Sequence, residues 1–133
     1  MEPHFEIGLI GKASAYLSAK GRTVIPAMWQ GVFEDRAYVS RDGDSSERYL
    51  RLSPAACEGA YVKPLRSQSR FVLTPEEREH IGVSPGGLII VVGCLDHVEL
   101  WKPEVYERSM AEARKAWPAF SLGVHKELYA ESR

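Results

Sequence analysis

Two short stretches of the chain hold the side chains best suited to gripping an anion. Lys20-Gly21-Arg22 sets two cations around a glycine, and Arg66 and Arg70 recur in a similar setting farther along. A guanidinium donates paired hydrogen bonds to a phosphate or a guanine edge, whereas an ammonium acts as a point charge. Gly21 lets the backbone between the cations approach a large ligand closely. The surroundings favour the same chemistry. No acidic residue occurs from Ile7 to Phe33, where Lys12, Lys20 and Arg22 give +3. None occurs from Gly59 to Pro75, where Lys63, Arg66 and Arg70 give +3 again. Since the whole chain has a net charge of −1, the remainder is acidic. Such a pattern suits a two-fold anion-facing surface. A basic turn is also the ordinary form of a solvated turn, so the charges alone leave both readings open.

Other chemistries find less support. Histidines stand at His4, His80, His97 and His125, and Asp96-His97 follows Cys94 in a turn. Cys94 and His97 could ligate a metal, but no second pair has ligand spacing, so no metal site is expected. No nucleophile is flanked by glycines as in a nucleophile elbow. Gly8-Leu9-Ile10-Gly11-Lys12-Ala13 lacks the glycine spacing and the hydroxyl of a phosphate loop. Gly86-Gly87 reads as a loop-to-strand joint. Neither an enzyme nor a cofactor is expected.

The elements that must position these residues belong to an average globular chain. It has 133 residues, 44% hydrophobic and 26% charged. The longest apolar run, Gly86 to Leu95, falls short of the roughly 18 residues that a membrane span needs. Met1-Glu2-Pro3-His4 lacks the positive region of a secretory signal, and Cys57 and Cys94 can pair only once, so a reduced, cytoplasmic protein is expected. Ala15-Tyr16-Leu17 and Thr23-Val24-Ile25 read as strands around a Lys20-Gly21 turn, and Pro26 opens a short helix. Arg36 to Arg41 and Glu47 to Leu52 read as strands, and Ser53-Pro54 as a helix start. Then Arg70-Phe71-Val72-Leu73 is a strand, Thr74-Pro75-Glu76-Glu77 a capping box, and Gly82 the helix stop. Gly87 to Gly93 reads as a strand buried on both faces, His97 to Trp101 as its return, and Pro103 as the start of a helix. In that helix Tyr106, Met110, Ala113 and Trp117 form one apolar stripe, which could cover its own sheet or pack on a second copy. Pro118 ends it.

The two halves match by offset. Arg22, Val24, Ile25 and Pro54 correspond to Arg70, Val72, Leu73 and Pro103, a repeat of about 48 residues that is too short for two separate cores. The core is expected at Val24, Ile25, Val72, Leu73, Ile89, Val91, Leu100 and Trp101.

In these residues the chain resembles the MraZ family, which carries two tandem AbrB/SpoVT-type units. Leu17-Ser18-Ala19-Lys20-Gly21-Arg22-Thr23-Val24-Ile25-Pro26 matches the first unit's motif, with Ser18 where Asp is usual. The second unit is similar from Arg70 through Arg78-Glu79-His80-Ile81-Gly82-Val83, then Val91-Val92-Gly93 and Glu99-Leu100-Trp101. Arg66 occupies the second usual Asp position, Ser69 replaces the second turn glycine, and the segment between the units is short. The resemblance implies a mainly β fold with short helices, a swapped-hairpin AbrB-like barrel built from two fused repeats. Residues 9–61 would form the first repeat, 62–117 the second, and 118–133 a partly mobile tail.

It further implies a DNA-binding transcriptional regulator that represses its own operon, the division and cell-wall gene cluster, by binding repeated sites as an oligomer. Its partners would be double-stranded DNA and copies of itself, with no membrane and no small-molecule substrate, at a cytoplasmic, nucleoid-associated location. The DNA-binding residues would be Lys20, Gly21, Arg22, Arg66 and Arg70. With Ser69 in place of glycine, the second turn is expected to reach a positive φ less readily than the first. An alternative on the same fold is an antitoxin or protein-interaction module, with Phe120, Leu122, Val124, Leu128 and Tyr129 of the tail docking on a partner.

Overall fold

A computed structural model describes residues 9–116. Trp117, the tail after it, His4 and His125 lie outside the described residues. The chain is mainly antiparallel β with short helices, and one sheet carries most of it. Its six strands lie in the order β1 (Leu9–Tyr16), β7 (Leu88–Leu95), β8 (Val98–Trp101), β4 (Arg48–Ser53), β3 (Arg36–Gly43) and β5 (Tyr61–Pro64). Two short strands, β2 (Arg22–Val24) and β6 (Arg70–Val72), form a separate ribbon. Among the described residues β1 and β5 are the free edges of the larger sheet, so its strands do not close a barrel.

Early and late parts of the chain interleave. β1 pairs with β7, β2 with β6 and β4 with β8, all antiparallel. Period-two alternation then decides what is buried. Ala37, Val39, Leu50, Leu52, Ile89, Val91, Val98 and Leu100 alternate along the central strands and are almost wholly buried. Phe71 from the middle of the ribbon and Leu17, Ile25 and Leu73 from its flanks join them, with Trp29 and Phe33 from the short turn and helix α1 (Gln30–Phe33). Ile81 joins from α2 (Pro75–Ile81), which packs on β4. The ribbon is thus one wall of the core and not an appendage.

Helix α2 has the cap that its sequence implies. Thr74 Oγ1 accepts from Glu77 N at 3.1 Å, Glu77 Oε1 accepts from Thr74 N at 2.9 Å, and Gly82 ends the helix at φ 76°. Helix α3 (Pro103–Ala116) lies against the outer face of β7. There Trp101 stacks on Tyr49 at 4.7 Å between ring centroids and meets the Tyr106 ring edge-on at 5.8 Å.

Several sequence expectations need correction. Ser53-Pro54 starts no helix; Ser53 ends β4, its hydroxyl accepts from Ala55 N, and the chain turns back into β5. β7 is buried on one face only, since Leu88, Ile90 and Val92 are half-buried beneath α3. Val24 is half-buried and Val72 is 45% exposed, because in the ribbon Thr23 and Phe71 take the inward positions. Trp101 is buried, but under α3 on the outer face and not in the main core.

Candidate nucleic-acid interface

The ribbon's register carries the site. Arg22 lies opposite Val72, Thr23 opposite Phe71, and Val24 opposite Arg70. With Thr23 and Phe71 turned into the core, the outer face presents Arg22, Val24, Arg70 and Val72. Each arginine stands across from a valine, an arrangement with two-fold symmetry.

The loops feeding the two strands are built alike. Ser18 N donates to Arg22 O at 2.8 Å, and Arg66 N donates to Arg70 O at 2.7 Å. Leu73 N donates to Gly21 O at 2.8 Å, and Ile25 N donates to Ser69 O at 3.1 Å. Each turn residue therefore anchors the end of the opposite strand.

In the first turn Ser18 replaces the usual Asp without losing the turn's hydrogen bonds. Its Oγ accepts from Arg22 N at 3.0 Å and from Lys20 N at 3.3 Å, the local bonding a short polar side chain gives a turn. Gly21 sits at φ +77°, and a Cβ there would lie 2.5 Å from a terminal nitrogen of Arg78. That guanidinium donates to Leu73 O at 2.8 Å, bracing the turn from α2. Nothing in the spacing of Arg78 singled it out beforehand, since it sits in an ordinary amphipathic helix.

The second turn corrects an expectation. Ser69 does adopt positive φ, at 55°, and Gln68 does so at 61°. A non-glycine residue pays about 1–2 kcal/mol for this conformation, and the bond from Ile25 N to Ser69 O, with Ser69 buried, holds it. Arg70 folds back on the same loop, donating to Ser67 O at 3.2 Å and to Ser67 Oγ at 3.1 Å.

Lys20, Arg22, Arg66 and Arg70 are exposed, Gly21 is buried, and among the described residues none of the four cations is in an ion pair. Arg22, Arg66 and Arg70 line one open hollow with Phe71 and Val72. Lys20, Arg22 and Arg70 line a second with Tyr16 and Val24. Tyr16, 72% exposed, belongs to this surface and was not foreseen, having been read only as part of a strand.

Two members of the basic segments do not. Lys12 lies in β1 with its ammonium 5.3 Å from the Tyr106 ring centroid. Lys63 is buried, 2.7 Å from Glu77 Oε1 and 2.7 Å from Val72 O. Tyr61 donates to the other oxygen of Glu77, which is 1% exposed. Beneath the exposed cations there is thus a buried ion pair that ties β5, β6 and α2 together. The sequence counted Lys63 as one more exposed charge because a buried lysine is rare without a partner, and its partner is 14 residues away.

No family model matches the chain. It is 27% identical over 135 residues to a transcriptional regulator MraZ of Rhizobium rhizogenes, covering 80% of this chain and 90% of that protein. It is 30% identical over 128 residues to a transcriptional regulator MraZ of Rhizobium meliloti, covering 74% and 86%. The solution structure of PHS018 from Pyrococcus horikoshii overlaps 71% of this chain and 96% of its own at 20% identity and a TM-score of 0.37.

Proposed function

The chain belongs to the MraZ family, and on that premise we propose that it is a DNA-binding transcriptional regulator whose β2–β6 ribbon faces the duplex. It is not an enzyme. The observation that carries the reading is the symmetric outer face of the ribbon, with Arg22 and Arg70 diagonal to each other and Lys20 and Arg66 at its ends. A two-stranded ribbon fits the major groove of B-form DNA, where arginine reads guanine and apolar groups touch the thymine methyl. Arg22 and Arg70 are the proposed base readers, with Val24 and Val72 beside them. Lys20 and Arg66 are the proposed phosphate contacts, while Gly21, buried and with its N–H donated to Ser18 O at 2.9 Å, shapes the turn that presents them.

Finer points belong to the same proposal. Residues 9–61 and 62–117 act as two AbrB/SpoVT-type repeats. The target is the protein's own operon, at repeated sites bound by an oligomer. No helix among the described residues is long and apolar enough to cross a membrane. A cytoplasmic, nucleoid-associated location fits a protein with this target.

Fluorescence anisotropy with the duplex upstream of the protein's own operon, at several salt concentrations, tests the reading. Each phosphate neutralised contributes a slope of about −0.9 to log affinity against log salt. The two phosphate-contacting cations of one protomer therefore predict a slope of about −2 per protomer engaged. Equal, salt-insensitive binding to this duplex and a scrambled one would overturn the assignment.

A further inference from the structure

The β7–β8 hairpin gathers three metal-ligating side chains outside the ribbon. Cys94 lies near the end of β7, opposite Ile10 of β1, His97 lies in the turn and Glu99 in β8. Their donor atoms all lie within 4.8 Å of one another, and all three side chains are half-buried. Their period-two positions turn them to the outer face, away from the main core. The turn itself is tightly specified, since Cys94 N donates to His97 O at 2.8 Å and Leu95 takes φ +71°.

We propose that Cys94, His97 and Glu99 bind a thiophilic divalent cation of the Zn2+ class, with water in the fourth position. The surroundings of His97 argue for it. Nδ1 lies 2.7 Å from Asp96 Oδ1, so it carries a proton and donates to that carboxylate. A carboxylate on one ring nitrogen orients the other as a metal ligand. Nε2 then faces Glu99 Oε2 at 3.0 Å. Two acceptors at that distance need a proton or a cation between them. Trp101 Nε1 donates to Glu99 Oε1 at 2.9 Å, leaving the second oxygen for the site.

Charge and bond lengths agree. The Cys94 thiolate, Glu99 and Asp96, offset by Arg51 at 3.9 Å from Asp96, leave two negative charges that one divalent ion neutralises. Tetrahedral zinc holds such donors about 3.4–3.6 Å apart, so side-chain shifts of about 1 Å complete the site. The metal takes the place of the thiol proton and of whatever proton bridges His97 Nε2 and Glu99 Oε2, with no redox change. The site is independent of the DNA reading; its role is to pin the hairpin on which β1 and α3 pack.

Co2+ titration of the full chain carrying Cys57→Ser tests this without involving DNA. The expected result is one equivalent bound, with a thiolate-to-cobalt charge-transfer band, the visible bands of four-coordinate cobalt, and displacement by Zn2+. Asp96→Asn, which removes only the orienting carboxylate, should weaken binding about 10- to 100-fold. Cys94→Ser, checked for folding by circular dichroism, should abolish the charge-transfer band. Absence of that band at millimolar Co2+, or its survival in a folded Cys94→Ser variant, would overturn the proposal. Since the first outcome is read on a chain with Cys94 intact, a variant that fails to fold does not rescue the idea.

Discussion

Replacing Lys63 with methionine separates a structural cation from the DNA-facing ones. The ammonium is nearly as buried as its partner, with one bond of 2.7 Å to Glu77 Oε1 and another of 2.7 Å to Val72 O. Methionine matches the stem but supplies no donor. Glu77 would keep only the Thr74 N–H and the Tyr61 hydroxyl around a charge that is 1% exposed. Breaking a buried pair from one side costs about 3–5 kcal/mol, a large part of the roughly 5–15 kcal/mol that holds a domain together. Adding Glu77→Gln removes the stranded charge while keeping an oxygen for the Thr74 cap. The double variant should therefore recover at least about 1 kcal/mol relative to Lys63→Met alone. Urea unfolding of the three proteins reads these values, and each variant's DNA affinity is then measured where it is fully folded. Since Lys63 touches no phosphate in this account, the salt slope of binding should stay as it is. Lys20→Ala should flatten it by about one unit per protomer engaged. A loss below about 1 kcal/mol, or a double variant no more stable than the single, would refute the buried-pair argument.

Other outcomes follow from the turns. Gly21→Ala must carry a side chain at φ +77° and displace the Arg78 guanidinium from Leu73 O, for a loss of about 2–3 kcal/mol in urea unfolding. A loss under about 0.5 kcal/mol would mean that the turn relaxes freely. Ser18→Ala removes the acceptor shared by Lys20 N and Arg22 N, and should cost about 1 kcal/mol with weaker DNA binding. Ser18→Asp should restore the turn but bind DNA less tightly than the natural Ser18 protein, because it sets a negative charge beside Lys20 and Arg22. Tighter binding by Ser18→Asp would contradict this placement of the cations. At the β3–β4 turn, the Ser46 and Glu47 amides hold the Asp44 carboxyl below its ordinary 3.8. A lowered carboxylate stabilises the fold above that value, and its contribution disappears as pH falls through the folded value. Asp44→Asn should therefore flatten the acid limb of a melting-temperature profile, and an unchanged limb would count against the turn's role.

What the sequence revealed and what it hid have physical reasons. The Thr74 capping box was readable because both of its partners lie within one helical turn. The Lys20-Gly21 turn was readable because it too is set by residues close in sequence. The inward and outward faces of the ribbon were not, since three residues are too few to establish a period. Thr23 therefore went unnoticed and Val72 was placed in the core. The Ser53-Pro54 start signal is real, but the short segment to β5 is spent on turning the chain back to pair with β3. A positive φ at Ser69 was unexpected because the bond that holds it comes from Ile25, on the other strand's end. Lys63 was misjudged because its partner Glu77 comes from a helix 14 residues away, an interaction that crosses the fold. Glu99 was missed although its partners His97 and Trp101 lie two residues off, because only the hairpin's register brings Cys94 beside them.

The central claim is that the outer face of the ribbon reads DNA. Arg22→Ala and Arg70→Ala, each measured by anisotropy against the upstream duplex and a scrambled duplex of equal length, test it most directly. The account predicts a loss of about 1–3 kcal/mol on the upstream duplex for each variant, and much less on the scrambled one. Equal losses on the two duplexes would reduce both arginines to phosphate contacts. No loss on either, in variants that remain folded, would contradict the placement of DNA on this ribbon.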